Sequence, residues 1–427
     1  MLIPCPIETW AQKTPDSPAI IADDVTLTYQ NLHQKVSQTS FPKANTIGLK
    51  TTNSWQEIVI FLSLLRSKIT SVFLDPAKPN LLHIPIILQD EDIRKYVSQG
   101  GTENQHHPLS TDQLATGILT SGSIQPKLAF HTFGNHYYSA LGSATNIPIG
   151  PGDQWRLNLP MWHVSGLSIL FRCFLSGATV VLTNKPTTPC THLSVVSSQL
   201  FTLASAPKET LQNLKAVLIG GSAISQSLMQ KATEANIPFY KTYGSTEMAS
   251  QITTTSLKQI SDGKILPYRE IKIDKNGQIL VRGETLFKGY QDGPFITLPL
   301  TYDGWFETGD LGRMDEDGSL WVTGRKDLMM VSGGENIYPE EIERILQKFP
   351  EVLQAIVVPI PHPKYGQRPI AFLKMIPGTS LPSEREIRSF VQDRLPKFKV
   401  PDHFWLWPES IPLSKESRQR LVLHATP

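Results

Sequence analysis

The sequence predicts an α/β protein with a large N-terminal domain of mostly parallel βαβ sheets plus a small antiparallel β section, followed by a small α+β C-terminal domain joined by a hinge. Three observations predict this fold. Strand and helix patterns alternate early in the chain, an Asn-Gly pair separates two alternating runs in its middle, and two amphipathic helical stripes lie near its end. A chain of 427 residues is also too long for one ordinary core. We expect the domains to span residues 1–326 and 327–427.

The N-terminal region alternates between short apolar runs and helical stripes. Residues 8–37 predict a helix, a proline turn, a short hairpin and a second helix capped by Thr28. Residues 46–75 predict strand, helix and strand, which is typical of a βαβ unit and therefore of a parallel sheet. Apolar runs at 178–182 and 216–219 predict buried strands, although runs this short also occur in buried helices.

The pattern becomes antiparallel after residue 270. Isoleucines at 271 and 273 alternate with polar residues, and a second apolar run begins at Ile279. Asn276-Gly277 between these runs predicts a hairpin with a two-residue turn. A second strand pair is expected at 315–323. We therefore predict an antiparallel section that is separate from the preceding sheets.

A third unit is predicted after Asp327. Pro339 is suited to the first position of a helix, and Glu340 and Glu341 complement the positive end of that helix. A strand is expected at 355–360, and a further helical stripe ends before Pro396. About one hundred residues of this kind suit a small C-terminal domain.

The composition excludes several function classes. The chain has 40% hydrophobic and 18% charged residues with a formal net charge of +2, so we expect a globular protein without a dedicated nucleic-acid surface. The three cysteines, Cys5, Cys173 and Cys190, lack paired spacing, which favours a reducing compartment over disulfides or a zinc site. We find no membrane span or secretory signal and expect a cytoplasmic protein. The composition is compatible with small anionic ligands and with a homo-oligomer.

Several loops concentrate polar groups that suit a nucleotide. The segment LTSGSIQPK at 119–127 gathers hydroxyls, a glycine and Lys127 for phosphate oxygens, but it lacks the spacing of a Walker loop. The segment YGSTE at 243–247 combines an aromatic ring with hydroxyls and a carboxylate. Residues 302–343 hold an isolated acid, Asp310, at an expected turn, a Gly-Arg-Lys-Asp run and a glycine pair. Each of these alone also fits an ordinary loop or capped turn.

Taken in order, these segments resemble one family. TSGS followed by PK, YGSTE, GWFETGD, GRKD and GGENIYPEEIE occur in the order and approximate spacing of the adenylate-forming acyl-CoA synthetases. The resemblance covers nearly the whole chain. It implies an acid–thiol ligase in which a carboxylate attacks the α-phosphate of ATP, pyrophosphate leaves, and CoA then displaces AMP. The implied ligands are ATP, Mg²⁺ and CoA.

The resemblance implies roles for individual residues. Asp310 would take both ribose hydroxyls, and Arg325 would hold the ribose and phosphate end. Thr246 would bind the α-phosphate, Glu247 would hold Mg²⁺, and Asp327 would be the hinge about which the small domain rotates. The other implied residues are Thr120, Ser121, Gly122, Ser123 and Lys127 in the phosphate loop, Gly220, Gly221, Ser222, Tyr243 and Gly244 in the nucleotide pocket, and Gly333, Gly334 and Glu335 in the CoA-dependent step.

One segment indicates the acid. LPMWHVSGL at 159–167, followed by an arginine, is similar to the segment PLxHxSGL of the o-succinylbenzoate–CoA ligases, which serve menaquinone and phylloquinone biosynthesis. Their substrate is an aromatic dicarboxylate, so one carboxylate is activated while the other must be recognised. His163, Ser165 or Arg172 could serve that recognition. A lone histidine in an apolar run is more often structural, and Arg172 could simply lie on a helix face.

Two segments depart from the family pattern. The phosphate loop, 122–127, is one residue shorter than usual and has one glycine fewer, which predicts fewer donors for phosphate. Family members end with Gly-Lys a few residues after a proline, and that lysine acts in adenylation. Counted from Pro412, Arg418 stands at the lysine position, whereas Lys415 fits only with a shortened loop. The alternatives left open are another aryl- or acyl-CoA ligase, or a catalytically weakened nucleotide-binding paralogue.

Overall fold

Two mixed sheets and the helices packed against them form the N-terminal part of the protein in the computed structural model. One buried apolar cluster joins strands of both sheets to the helices between them, including Ile20, Phe61, Phe73, Phe171 and Val180. The structure describes residues 1–80, 82, 84–99, 108–120, 126–183, 185, 188–221, 224, 226–259, 261–411 and 417–425.

The secondary structure of the N-terminal part follows the order that the sequence predicts. The helices are α1 (Pro6–Lys13), α2 (Tyr29–Gln38), α3 (Trp55–Arg66), α4 (Asp90–Gln99), α5 (Phe133–Ala144), α6 (Val164–Ser176), α7 (Ser197–Ala204), α8 (Lys208–Leu211) and α9 (Gln226–Glu234). The strands are β1 (Leu2–Ile3), β2 (Pro18–Ile21), β3 (Thr26–Thr28), β4 (Thr46–Leu49), β5 (Thr70–Phe73), β6 (Ile87–Leu88), β7 (Leu109–Ser110), β8 (Leu114–Leu119), β9 (Leu128–Thr132), β10 (Gln154–Arg156), β11 (Thr179–Val181), β12 (His192–Val195), β13 (Ala216–Ile219), β14 (Phe239–Ser245), β15 (Ser250–Thr254) and β16 (Lys264–Ile265).

The predicted βαβ unit is confirmed. β4 and β5 pair in parallel through the register Thr46↔Thr70 to Leu49↔Phe73. Helix α3 between them is capped by the Ser54 hydroxyl, which accepts from the Glu57 N–H at 3.1 Å. The predicted cap of α2 is also present, since Thr28 and Asn31 form a capping box.

A separate antiparallel sheet follows, as predicted, but residues 315–318, which were expected to form a strand, form the turn between two of its strands. Its strands run in the order β17-β18-β21-β22, whereas β19 and β20 extend the sheet of β4 and β5 because β19 pairs with β9. The added strands are β17 (Arg269–Ile273), β18 (Gln278–Gly283), β19 (Gly289–Asp292), β20 (Phe295–Thr297), β21 (Phe306–Met314) and β22 (Leu320–Arg325).

The hairpin between β17 and β18 differs from its prediction in one detail. The connection comprises four residues, 274–277, and not a two-residue turn. The Asp274 carboxylate accepts from the N–H groups of Asn276 and Gln278, both at 2.8 Å, which closes the longer loop. Gly277 still occupies the left-handed position that the Asn-Gly pair predicts, with φ of +79°.

The C-terminal part forms a separate domain with its own core. This core contains the apolar faces of two helices, as the stripes predict, with Ile342, Leu346, Ile387 and Val391 fully buried. The boundary at residue 327 stays a prediction. The elements are β23 (Met330–Ser332), β24 (Glu335–Ile337), α10 (Pro339–Leu346), β25 (Val352–His362), β26 (Gly366–Met375), α11 (Glu384–Gln392), β27 (Phe404–Leu406) and α12 (Ser417–Ala425), with 3-10 turns at Lys326–Leu328 and Lys397–Lys399.

Over the parts of the chain that the structure describes, no helix combines the length and the apolar character that crossing a bilayer requires.

Candidate active site

Asp310 lies inside strand β21 and not at a turn, which corrects the sequence interpretation. Gly309 before it has φ of +76°, so the strand accommodates a left-handed residue without ending. The carboxylate is buried and accepts from the Tyr243 hydroxyl at 2.6 Å and from Arg325 Nη1 at 2.9 Å. Burial raises the pKa of Asp310, while Arg325 and Tyr243 oppose that rise. Both oxygens are thus fixed in place, and each keeps capacity to accept a further bond.

Arg325 joins Asp310 to the predicted hinge. It ends β22 directly opposite Asp310 in the antiparallel register. Its Nε and Nη2 donate to the two carboxylate oxygens of Asp327 at 2.8 and 3.0 Å. Because one planar guanidinium holds both carboxylates, a change of backbone conformation at Asp327 would also disturb the group beside Asp310.

Thr246 and Glu247 occupy the connection between β14 and β15, where two other side chains hold them. Nε2 of His131 lies 2.6 Å from the carbonyl oxygen of Thr246, which can only accept, so Nε2 carries the proton. Burial lowers the pKa of His131 to about 4, which keeps the ring neutral. The Tyr290 hydroxyl donates to Glu247 Oε1 at 2.6 Å. The backbone of Thr246 and the carboxylate of Glu247 are therefore both anchored.

The residues that flank the predicted phosphate loop lie next to this connection. Thr120 and Lys127 bracket the loop with two hydrogen bonds, the Thr120 N–H to the Lys127 carbonyl at 2.8 Å and the Lys127 N–H to the Thr120 hydroxyl at 3.0 Å. The Lys127 ammonium lies 5.0 Å from the centre of the Tyr290 ring, whose hydroxyl holds Glu247. The loop residues Ser121, Gly122 and Ser123 fall outside the described residues.

The predicted nucleotide-pocket residues lie on neighbouring strands. Gly220 and Gly221 follow β13, which pairs in parallel with β14. A Cβ on Gly220 would lie 2.8 Å from Thr242 Cγ2, so the glycine permits this close approach. Tyr243 and Gly244 lie next in β14, and Gly244 faces Gln251 of β15. Ser222 falls outside the described residues.

The predicted acid-pocket residues lie along helix α6. His163 caps the helix and is half-buried, and Ser165 is exposed in its first turn. Arg172 lies about 10 Å beyond Ser165 and about 13 Å beyond His163 along the helix axis, given a rise of about 1.5 Å per residue. The three residues therefore do not form one cluster.

Arg172 is buried behind the Thr246–Glu247 connection. Its Nη2 donates to Ser250 Oγ at 3.1 Å and to Gln251 Oε1 at 2.8 Å. Its guanidinium lies 5.1 Å from the centre of the Trp155 ring. Burial lowers the pKa of Arg172 to about 10, so the group remains cationic at neutral pH. This cation lies beside the strand that begins three residues after Glu247.

The residues predicted for the CoA-dependent step form a tight hairpin in the C-terminal domain. Gly333 and Gly334 connect β23 to β24 with φ of +60° and +89°, and both are exposed. Glu335 begins β24 and is exposed as well. The helix start that the sequence places just after this pair is confirmed at Pro339, where α10 begins.

The two candidates for the adenylation cation differ in what the structure reveals. Lys415 falls outside the described residues. Arg418 lies in α12 and is bound into its own domain, since Nη2 pairs with Glu343 Oε1 at 2.8 Å and Nη1 donates to the Val357 carbonyl at 2.6 Å. Glu343 is itself only 6% exposed. Arg418 would therefore have to leave a buried carboxylate before it could reach a substrate.

The donor set around Glu247 fits the implied Mg²⁺ ion. Among the described residues no group of three or more His, Cys, Asp or Glu side chains could hold a metal ion by itself. A single carboxylate is what Mg²⁺ uses when phosphate oxygens and water complete its octahedron. Glu247, with the hydroxyl of Thr246 next to it, supplies such a partial set.

Sequence reasoning missed three residues at this site. Tyr290 and His131 anchor the Thr246–Glu247 connection from strands that are distant in sequence. Glu340 opens α10 and packs against Gly324, where an added Cβ would lie 3.1 Å from its carboxylate. Burial raises the pKa of Glu340 to about 7. The sequence offered only a helix-start signal for Glu340 and no signal for the pairing of Tyr290 with Glu247.

Comparison with known proteins agrees with this geometry. Residues 78–291 match the family of AMP-binding enzymes, and residues 341–418 match the AMP-binding enzyme C-terminal domain. A 2-succinylbenzoate–CoA ligase from Bacillus licheniformis is 32% identical, with 92% of this chain and 94% of the relative covered. The chain belongs to the family of AMP-binding enzymes. It is therefore an acid–thiol ligase by kinship with its relatives.

Other AMP-binding enzymes support the same assignment. A 2-succinylbenzoate–CoA ligase from Geobacillus kaustophilus is 36% identical over 73% of this chain and 68% of its own. The solved structure of o-succinylbenzoate CoA synthetase from Bacillus subtilis with the acyl-adenylate intermediate OSB-AMP has a TM-score of 0.85 at 27% identity and covers 99% of this chain and 98% of its own. The same synthetase in complex with ATP and magnesium ion has a TM-score of 0.84 at 27% identity, with 99% and 100% covered.

Proposed function

We propose that this AMP-binding enzyme is an o-succinylbenzoate–CoA ligase that acts in menaquinone or phylloquinone biosynthesis. The observation that carries the choice of acid is Arg172, a buried cation beside the Thr246–Glu247 connection. No Asp or Glu side chain within the described part of the chain forms an ion pair with it. A dicarboxylic acid supplies the missing anion with the carboxylate that is not activated. The relatives named for this substrate match nearly the whole chain.

The first half-reaction joins the acid to AMP. A carboxylate oxygen attacks the α-phosphorus of ATP, the bond from that phosphorus to the β-phosphate oxygen breaks, and pyrophosphate leaves. Asp310 and Arg325 hold the ribose, and Thr246 donates to the α-phosphate. Mg²⁺ at Glu247 would neutralise phosphate charge when bound. Lys127 lies beside Tyr290, where it can add a point charge to the phosphates.

The second half-reaction transfers the acyl group to CoA. The CoA sulfur attacks the acyl carbon, the carbon–oxygen bond to AMP breaks, and AMP leaves. Asp327 is the hinge about which the C-terminal domain turns between the two steps. The exposed hairpin of Gly333, Gly334 and Glu335 then faces the thiol. Arg325 links this hinge to Asp310. When Asp327 breaks its hydrogen bonds to Arg325, the guanidinium beside Asp310 is therefore also freed.

Lys415 provides the cation for adenylation. Arg418 already neutralises the buried Glu343, and a buried carboxylate that loses its partner is strongly destabilised. The weakened-paralogue alternative is not favoured, because relatives named as 2-succinylbenzoate–CoA ligases match nearly the whole chain.

A direct assay tests the function. The protein, ATP, Mg²⁺, CoA and o-succinylbenzoate should yield AMP, pyrophosphate and a CoA thioester whose mass identifies the acyl group. Benzoate and fatty acids serve as competing acids. Turnover of those acids without turnover of o-succinylbenzoate would reassign the substrate. A cytoplasmic location and a homo-oligomer stay predictions, to be checked by cell fractionation and light scattering.

A further inference from the structure

A second buried arginine lies near Arg172 and is not used by the mechanism above. Arg269 begins strand β17 and is only 5% exposed. Its Nε makes one long hydrogen bond, to the Thr285 hydroxyl at 3.4 Å. Nη1 and Nη2 are both buried, and neither has a hydrogen-bond partner in the described part of the chain. A buried guanidinium with two unpartnered nitrogens is costly, and natural proteins keep such a group only where something pairs with it.

The fold makes room for this guanidinium. Gly142 in helix α5 faces Arg269, and a Cβ on that glycine would lie 2.7 Å from Nη1. That Cβ would also lie 2.8 Å from the Pro267 carbonyl oxygen, so the glycine leaves room for the backbone as well as for the guanidinium. Glycine is less favourable than alanine inside a helix, so its presence at this position is consistent with the lack of space beside the guanidinium.

Arg269 and Arg172 form a pair of like charges. Helix α5, whose Gly142 faces Arg269, packs against helix α6, which carries Arg172. Burial, and then the charge of Arg172, lower the pKa of Arg269 to about 9, so both groups are cationic at neutral pH. Among the described residues no Asp or Glu forms an ion pair with either arginine. Two buried cations without an anion lack the compensation that buried charges need. An anionic group brought by a ligand would provide it.

We propose that Arg269 is a second cation of the acid-binding pocket and that, with Arg172, it binds the substrate carboxylate that is not activated, which makes the enzyme selective for dicarboxylic acids. This inference rests on the proposed function. A carboxylate has two oxygens and about four lone-pair sites, which suffices for two guanidinium groups. Nε of Arg172 is also buried and has no partner among the described residues, so each arginine has donors to offer. Arg269 is then a specificity-determining residue.

The test compares Arg269→Met with a matched control, Arg282→Met. Arg282 lies on the partner strand β18, but it is exposed and paired with Glu270 at 2.6 Å. Each protein is assayed with o-succinylbenzoate and with the two monocarboxylic analogues, one lacking the ring carboxylate and one lacking the side-chain carboxylate. The KM of Arg269→Met for o-succinylbenzoate should rise about tenfold or more, because a charge-assisted bond is lost. Its KM for the analogue that is turned over should change less than about twofold. Arg282→Met should match the wild type with both acids.

Thermal unfolding without ligand adds a readout that separates binding from structure. Arg269→Met removes an uncompensated buried charge and keeps the volume, so its Tm should equal or exceed that of the wild type. Arg269→Lys, which keeps the charge without the fork, should recover part of the affinity for the dicarboxylate. A lower Tm with equal losses for both acids would show a structural role and overturn the inference. Equal turnover of mono- and dicarboxylic acids by the wild type would instead overturn the proposed function.

Discussion

Two charge clusters in this protein differ in whether they are complete without a ligand. In the nucleotide cluster, Arg325 lies between Asp310 and Asp327, and the three side chains are joined by hydrogen bonds of 2.8 to 3.0 Å. In the acid cluster, Arg172 and Arg269 are both buried, and neither forms an ion pair with a described Asp or Glu. The first cluster pairs its one cation with two carboxylates, whereas the second holds two cations and no described carboxylate.

This difference teaches how the two substrates are recognised. The nucleotide cluster can be formed before ATP binds, since its carboxylates are already oriented by Arg325 and Tyr243. In the acid cluster, the charges of Arg172 and Arg269 are compensated only when the anion of the substrate binds. Substrate binding therefore also stabilises the two buried arginines. Glu340 is a buried negative group that likewise lacks compensation, because its carboxylate oxygen Oε2 has no partner among the described residues.

The largest expected effect concerns the cation that the nucleotide cluster lacks. Because Arg325 is held by two carboxylates, the charge for adenylation must come from outside the cluster, and we assign it to Lys415. Lys415→Ala should slow pyrophosphate release by about two to three orders of magnitude, since an electrostatic contact to the transition state is lost. Thioester formation from preformed acyl-adenylate should be nearly unchanged.

Arg418→Ala is the control for that experiment. It leaves Glu343 buried without its partner, so it should destabilise the C-terminal domain and slow both half-reactions together. Selective loss of adenylation in Arg418→Ala, with normal adenylation in Lys415→Ala, would reverse the assignment.

The next largest effect is expected on ATP affinity when Asp310 of the nucleotide cluster is replaced. Asp310→Asn replaces one of the two acceptor oxygens assigned to the ribose hydroxyls with an NH2 group, so calorimetry should show ATP affinity reduced by about two orders of magnitude. Asp303→Asn is the matched control, since Asp303 is exposed and pairs with Lys272 at 2.9 Å. Similar ATP affinity in the two variants would mean that Asp310 does not contact the nucleotide.

A smaller effect is expected at the Thr246–Glu247 connection. Tyr290→Phe removes the hydroxyl that donates to Glu247 but keeps the ring beside Lys127. The KM for ATP at limiting Mg²⁺ should rise roughly fivefold to tenfold, since a charge-assisted hydrogen bond is lost. Tyr302→Phe, at a fully exposed residue, should have no effect. An unchanged Mg²⁺ dependence in Tyr290→Phe would contradict the anchoring role.

The smallest effect is one of stability and comes from Glu340. Its pKa is raised from 4.5 to about 7, so the folded protein holds this proton more tightly than the unfolded chain does. The free energy of unfolding therefore falls by roughly 3 kcal/mol as pH rises from 4.5 to 7, and the loss is complete above that range. Glu340→Gln should be more stable than the wild type at pH 8 and equal to it near pH 4.5, as measured by denaturant unfolding.

Glu341→Gln provides the comparison for Glu340. Glu341 is the neighbouring carboxylate and pairs with Lys399 at 2.6 Å, so its replacement should not stabilise the protein at pH 8. A gain of the same size in both variants would point to net charge and not to the burial of Glu340.

The sequence predicted most elements because their signals are local. The Thr28 cap, the strand at residues 216–219 and the apolar face of α10 each lie within a few residues, and all are confirmed. The antiparallel sheet followed from the Asn-Gly pair, but the closing role of the Asp274 carboxylate lengthened its turn. Local sequence patterns therefore predicted the helices and strands more accurately than the turns that connect them.

The site was predicted in outline only, because its electrostatics depend on distant partners. Arg172 and Arg269 are 97 positions apart, and nothing in either neighbourhood indicates that both are buried without a carboxylate. Arg325 was predicted to face the nucleotide, yet its bond to Asp327 depends on the local turn after β22. The roles of the other site residues stay predictions that the mutants above address.

The central claim is that Arg172 recognises the second carboxylate of a dicarboxylic acid. The most direct measurement is kcat/KM for wild type and Arg172→Met, each with o-succinylbenzoate and with the monocarboxylic analogue that is turned over. The kcat/KM of Arg172→Met should fall by about two orders of magnitude with the dicarboxylate, because a buried charge pair is broken, and should change little with the analogue. Equal losses with both acids would contradict it.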